Sequence, residues 1–191
     1  MKHSVCYWCF RAFYTLPEFC KEVKALGFES VEILGPADWK VVKDAGLTCA
    51  VGMDSFCNIS KGFNDPKNHA FLQENYARFI RQASENGIPS VICFSGNRRG
   101  MDDETGLNNC VTGLKKIMAV AEKRGVMIQM ELLNSRVDHK DYMCDRSSWG
   151  VELCKRLGSA NFKLLFDIYH MQIDEGDIIH SIQTNHQYYG H

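Results

Sequence analysis

The 191-residue chain has no apolar run approaching the roughly 20 residues that a membrane-crossing helix needs. Its N-terminus lacks a secretory pattern, because Arg11 interrupts the only apolar stretch there and no small-residue cleavage site follows. Basic excess is also missing: 22 Lys and Arg stand against 23 Asp and Glu, and the formal net charge is −1. Nucleic acids and anionic membranes are usually met by a concentrated basic face, and here the cations are scattered. Low-complexity tracts are absent as well. These absences predict a cytoplasmic protein with neither nucleic acid nor membrane as partner.

Two further absences concern motifs. The segment YWCFRAFYT after the first apolar run contains no glycine, so the phosphate-binding turn of nucleotide-binding α/β folds is missing. Cys6-Tyr7-Trp8-Cys9 has CxxC spacing, but no second CxxC exists. The nine cysteines, an odd number spread through the predicted elements, are expected to be free and mostly buried rather than disulfide-bonded.

What the chain does have is a count. Six times a helical pattern ends on a glycine: Gly27, Gly46, Gly87, Gly125, Gly158 and Gly190. A glycine just past a helix supplies a left-handed cap that other residues resist, and the first five lead into short apolar runs. Strands are predicted near 3–9, 29–34, 47–53, 90–95, 127–133 and 162–168, with helices between them. The clearest helix runs from about Pro66 to Asn86, with Phe71, Leu72, Tyr76, Phe79, Ile80 and Ala83 as its apolar stripe. Another runs from about Thr105 to Arg124. MIQMELL and KLLFDI are near-continuous apolar runs, as expected of parallel strands covered on both faces. Strict alternation allows an open doubly wound sheet or a (β/α)8 barrel. A whole barrel usually needs ~250 residues.

The predicted strand tips gather polar groups: Glu32, Asp54, Asn97, Glu131, Asn134, Asp167 and His170. Carboxylates are seldom left inside apolar runs unless paired, hydrogen-bonded or metal-bound. For Glu131 and Asp167 a divalent metal is one account, and loop capping or pairing with a neighbouring cation is the other. Trp8 and Phe10 are placed to wall a pocket or to pack against the core. Arg98 and Arg99, in the loop SGNRRGMDD, can meet a substrate carboxylate or phosphate or stay solvated. Glu32 reads as structural support, and His139, His180 and His186 receive no role.

The run MELLN after a helix ending KRG, with FDIYHMQ further on, resembles the xylose-isomerase-like TIM barrels, and within them hydroxypyruvate isomerases and related sugar isomerases and epimerases. LPEFCKEVKALGFESVEIL is similar to the family's first helix and second strand. The resemblance implies an α/β (β/α)8 TIM barrel. Residues 1–191 would form a single domain of about six βα units, incomplete at its C-terminus. It implies an isomerase of the aldose-ketose type acting on a small hydroxy-carbonyl or sugar substrate through an enediolate, with epimerisation or a truncated non-catalytic product as alternatives. Glu131 would be metal ligand and catalytic acid/base, Asp167 a second ligand, and His170 a substrate contact, with Trp8 and Arg98 as further substrate-binding candidates. The metal would be Mn2+, Mg2+ or Co2+, or Zn2+ if an imidazole joins. In the family the seventh strand brings another ligand and the eighth a second glutamate. His191 falls at the opening of the seventh and is not assigned as that ligand. The chain by itself is therefore expected to show no isomerase activity, and a homo-oligomer is left open. A DNA-repair endonuclease of the same superfamily is disfavoured, because Glu32 and Met53-Asp54 stand where its metal cluster needs histidines and no basic face is present.

Overall fold

The computed structural model describes residues 2–191. The first unit is β1 (Ser4–Cys6) followed by α1 (Leu16–Ala25). Next come β2 (Ser30–Glu32), α2 (Pro36–Asp44), β3 (Thr48–Cys49) and α3 (His69–Asn86). Then follow β4 (Ser90–Cys93), α4 (Asp103–Arg124), β5 (Met127–Glu131) and α5 (Ser147–Leu157). β6 (Phe162–Leu165) leads into α6 (Ile168–Asp174) and α7 (Ile178–Asn185).

Local chemistry explains the boundaries. Thr15 and Glu18 form a capping box at the start of α1, where Glu18 accepts from the Thr15 amide at 2.9 Å and from its hydroxyl at 2.6 Å. Asp102 caps α4 by accepting from the Thr105 amide at 2.8 Å. The predicted helix start at Pro66 is a single 3-10 turn, capped by Asp65, before α3 proper begins at His69. Leu72, Tyr76, Phe79, Ile80 and Ala83 are buried on α3 as predicted. Burying each of the large ones contributes roughly 1.5–3 kcal/mol. Phe71 is 57% exposed and does not belong to that stripe.

All pairings between these strands are parallel, and the order is sequential: β1-β2-β3 and β4-β5-β6. Gly52 joins the two sheets, since its amide donates to Ser90 O at 2.8 Å and its carbonyl accepts from Ile92 N at 3.0 Å. A doubly wound sheet reverses its strand order around the first strand, whereas a barrel keeps each strand beside its predecessor. The arc is therefore six βα units of a TIM barrel.

Five of the six predicted glycines adopt the left-handed conformation, with φ between 63° and 85°. Gly190 does not. Its amide donates to Leu164 O at 2.9 Å, and Phe166 N donates to His191 O at 3.0 Å, so Tyr189–His191 run beside β6 as a strand. A side chain at position 190 would put its Cβ 2.8 Å from the Lys163 Cβ, so close approach to β6 is the reason for glycine there. Several strands are also shorter than predicted. β1 stops at Cys6 and turns into a 3-10 segment, Tyr7–Cys9, and β6 stops at Leu165 because Asp167 already caps α6.

All nine cysteines are free thiols. Cys6 is partly buried, and burial together with the Glu32 carboxylate pushes its thiol up to about 12, which leaves no thiolate for redox chemistry. Only Cys9 is exposed. Native protein at pH 8 is expected to release one equivalent of thionitrobenzoate rapidly from a disulfide reagent, and Cys9→Ser to release none on that timescale. Two or more fast thiols would contradict this packing.

Candidate functional site

The C-terminal ends of the strands open into one cavity of about 1240 Å3. Its carboxylates come from five places in the chain: Glu32, Asp54, Glu131, Asp138 and Asp167. Glu131 ends β5, and its two neighbouring strands hold it in register, with Glu131 facing Leu165 of β6. Burial pushes its carboxyl up to about 8, with Asp167 and then Glu32 adding to the shift. Among the described residues no protein donor hydrogen-bonds to that carboxylate. A carboxylate with acidic neighbours and no protein donor is one whose charge a bound cation would offset.

Asp167 divides its two oxygens between two tasks. Oδ1 accepts from the His170 amide at 3.2 Å and caps α6, while Oδ2 lies 3.9 Å from His170 Nε2. The helix-capping reading of this residue is realised, and the residue also lines the cavity. One ligand atom each from Glu131, Asp167 and His170 lies within 4.8 Å of the others, and the two carboxylates are hard-oxygen donors suited to a divalent cation. The residues present therefore fit a metal.

The imidazole's role is set by Asn134, which is wholly buried. Asn134 Oδ1 accepts from the amides of Val137 at 3.1 Å and Asp138 at 2.9 Å. Its Nδ2 donates to Asp138 Oδ2 at 2.8 Å, and the same nitrogen lies 2.6 Å from His170 Nδ1. Flipping the amide would break the two backbone bonds and set two acceptors face to face, so Nδ1 is the acceptor and Nε2 carries the proton. A protonated Nε2 is a donor toward the cavity, which suits a substrate oxygen better than a metal. Burial lowers the His170 pKa, against the pull of Asp167, so the neutral form persists at pH 7. Asn134→Asp would turn the donor into a second carboxylate beside Nδ1. The expected result is a rise in the His170 pKa and a proton on Nδ1, read from imidazole 15N shifts across pH 5–9; an unchanged titration would refute the assigned tautomer.

Two more groups reach the cavity from far along the chain. His191 Nε2 pairs with Glu32 Oε2, and that contact raises the His191 pKa. Cys6 Sγ lies 3.7 Å from the other Glu32 oxygen. Glu32 therefore faces the cavity and helps to raise Glu131 as well as supporting the neighbouring elements.

Of the other predicted residues, Trp8 lines the cavity and is 60% exposed, at its mouth rather than in the core. Phe10 stacks on Phe19 at 5.3 Å and packs against α1. Arg98 is not brought to the site. Its guanidinium pairs with Asp103 and Asp145 and donates to Met143 O at 3.0 Å, which pins the loop after β4 to the loop after β5. Arg99 pairs with Asp65 at 3.4 Å. His139 does line the cavity, edge-on to His170 at 5.2 Å. Sequence reasoning misses Asn134 and His191 as site residues. The strand-end position of Asn134 is a visible signal, whereas the pairing of His191 with Glu32 has none.

A profile described as "Xylose isomerase-like TIM barrel" matches residues 20–191. A putative hydroxypyruvate isomerase from Homo sapiens is 22% identical over 199 residues, covering 96% of this chain and 72% of that protein. A 2-oxo-tetronate isomerase from Cupriavidus necator is 38% identical over 71 residues, which span 37% of this chain and 27% of the enzyme. Among solved structures, a D-psicose 3-epimerase with D-tagatose from Clostridium cellulolyticum H10 superposes with a TM-score of 0.79 at 20% identity, over 100% of this chain and 72% of that one. An AP endonuclease, family 2, from Brucella melitensis superposes with a TM-score of 0.85 at 19% identity, over 100% and 78%. At these identities the structural matches establish the fold alone.

Proposed function

The chain belongs to the xylose isomerase-like TIM barrel family, and on that premise we propose that it is a metal-dependent isomerase acting on a small hydroxy-carbonyl compound through an enediolate. The observation that carries this reading is the buried Glu131 carboxylate, raised to about 8 beside Asp167 and within ligand distance of it. The relatives named as hydroxypyruvate and 2-oxo-tetronate isomerases support this reading, and the match to a D-psicose 3-epimerase keeps epimerisation as its alternative. Localisation in the cytoplasm is part of the same proposal. Among the described residues no helix is long and apolar enough to cross a membrane.

Glu131 and Asp167 would hold the metal, here Mn2+, Mg2+ or Co2+ by the hardness of their oxygens. When bound, a divalent cation supplies positive charge against the oxygens of the enediolate. Glu131 takes the proton from the substrate carbon and returns it to the neighbouring carbon; the cation would lower its pKa from the metal-free value, so that the carboxylate is the resting form that accepts the proton. His170 donates from Nε2 to a substrate oxygen, held in that tautomer by Asn134. Ile92, Phe94, Leu133 and Leu165 line the cavity and exclude water from one side of the reacting atoms.

The test is deuterium wash-in from D2O into hydroxypyruvate and D-psicose, followed by NMR with Mn2+ present, on the protein at its natural length. Wash-in abolished by Glu131→Gln, together with Mn2+ binding that survives His170→Gln, supports the reading. Exchange undiminished in Glu131→Gln would sink it, as would the absence of any exchange.

A further inference from the structure

We propose that Arg11 is the anchor for a carboxylate on the substrate, so that the cavity is built for a hydroxy-keto acid rather than a neutral sugar. The inference rests on the isomerase reading and names its substrate class. Arg11 is the one arginine or lysine lining the main cavity among the described residues, and it makes no ion pair or side-chain hydrogen bond there. Elsewhere the guanidinium groups near this rim are occupied: Arg98 by Asp103 and Asp145, Arg146 by the same two carboxylates, and Arg99 by Asp65.

Three imidazoles also line the cavity: His139, His170 and His191. His191 is paired with Glu32, His170 Nδ1 is taken up by Asn134 and His139 lies edge-on to His170, so none of the three matches the permanent charge of the Arg11 guanidinium. An anionic group entering among five carboxylates needs a cation to offset their repulsion, and the exposed Arg11 supplies it at the mouth. A single planar guanidinium with parallel donors matches a monoanionic carboxylate bidentately, whereas a dianionic phosphate would call for more than one cation at this position.

The segment that carries Arg11 is built rather than loose. Arg11 N donates to Tyr7 O at 3.0 Å, Tyr14 N to Phe10 O at 3.2 Å, and the Tyr7 hydroxyl to Tyr14 O at 3.0 Å. Phe10 stacks on Phe19 of α1 and ties the turn to the barrel wall. Arg11 therefore projects from a fixed turn beside Trp8, with both residues on the cavity lining.

The experiment compares two probes of equal carbon number, hydroxypyruvate and its uncharged counterpart dihydroxyacetone, by ligand-observed NMR titration of the unmodified chain, Arg11→Ala and Arg11→Lys. The expected result is that Arg11→Ala weakens hydroxypyruvate about tenfold or more, leaves dihydroxyacetone within about twofold, and that Arg11→Lys recovers part of the loss. Equal weakening of both probes, no weakening of either, or no binding of hydroxypyruvate to the unmodified chain would overturn the proposal. Inorganic phosphate displacing hydroxypyruvate from a tighter site would overturn the carboxylate assignment. The readout is binding alone, so a failure here leaves the Glu131 exchange experiment untouched, and a failure there leaves the Arg11 result standing as a binding fact.

Discussion

Glu131→Gln is expected to abolish Mn2+ binding and, in the same protein, to stabilise the metal-free fold at pH 8. The two effects have one cause. Burial and the neighbouring Asp167 and Glu32 raise the Glu131 carboxyl to about 8, well above its ordinary 4.5. A group whose pKa is higher in the folded state contributes stability that is fully present below the unfolded value and is lost as pH rises through the folded one. The metal-free protein should therefore lose stability from about pH 4.5 to about pH 8. Each tenfold change in proton affinity corresponds to about 1.36 kcal/mol, so this interval sets a ceiling of about 5 kcal/mol.

Glutamine keeps the shape and removes the charge, so Glu131→Gln should show none of that slope. Urea midpoints at pH 5 and pH 8 in the presence of a chelator would read it; parallel curves for the two proteins would refute the buried-charge account. Added Mn2+ should restore stability to the unmodified protein and do nothing for the variant. A ligand loss of this kind is expected to weaken Mn2+ by ~100-fold or more, beyond the 10–100-fold typical of removing a supporting partner.

Gly62→Ala is expected to have the largest effect on folding. Gly62 sits where the long loop after β3 runs alongside the end of β4: Phe63 N donates to Phe94 O at 3.2 Å and Asn64 N to Ser95 O at 2.8 Å. A Cβ at position 62 would stand 2.2 Å from the Ser95 carbonyl carbon, 2.3 Å from Gly96 N and 2.3 Å from Phe94 O. All three are backbone atoms, so no side-chain rotation relieves the clash and the loop must separate from the strand. Overpacking that a core can absorb costs about 1–3 kcal/mol; a clash against three consecutive backbone groups should exceed that, on the order of 4 kcal/mol. The separation would expose Phe63 and unseat Asn64, whose Nδ2 donates to Asn97 O at 2.7 Å. Thermal unfolding would show a midpoint lower by roughly ten degrees or more for a domain of this size, at about 2–4 °C per kcal/mol. A midpoint within a few degrees of the unmodified protein would mean that the loop does not pack against β4 in this way.

The features legible in the sequence are those whose cause lies within a turn or two of chain. A capping box needs only Thr15 and Glu18, a left-handed cap needs only its glycine, and an apolar stripe needs only the helical period. Glu131 and Asp167 are visible for the same reason, since a carboxylate inside an apolar run is anomalous without reference to anything distant. Phe71 is misplaced because periodicity gives the direction of a side chain and not the extent of the surface that covers it. Gly190 is misread because a glycine after a helix and a glycine crowded by a neighbouring strand look alike in sequence; Lys163 pressing on it is what distinguishes them.

The sequence by itself determined the alternation of strand and helix, the parallel buried strands, and two of the acidic groups at their ends, because each is encoded in local spacing and residue type. Only the tertiary structure decided which arginine faces the cavity, which proton His170 carries, and what Glu32 meets. Arg98 and Arg11 are equally plausible in a string of letters, yet Asp103 and Asp145 fold against the first and leave the second at the mouth. The pairing of Glu32 with His191 joins the second strand to the end of the chain. Contacts of that span exist only once the arc of strands has curved and brought its ends to one cavity, and no local rule of sequence specifies the partner across it.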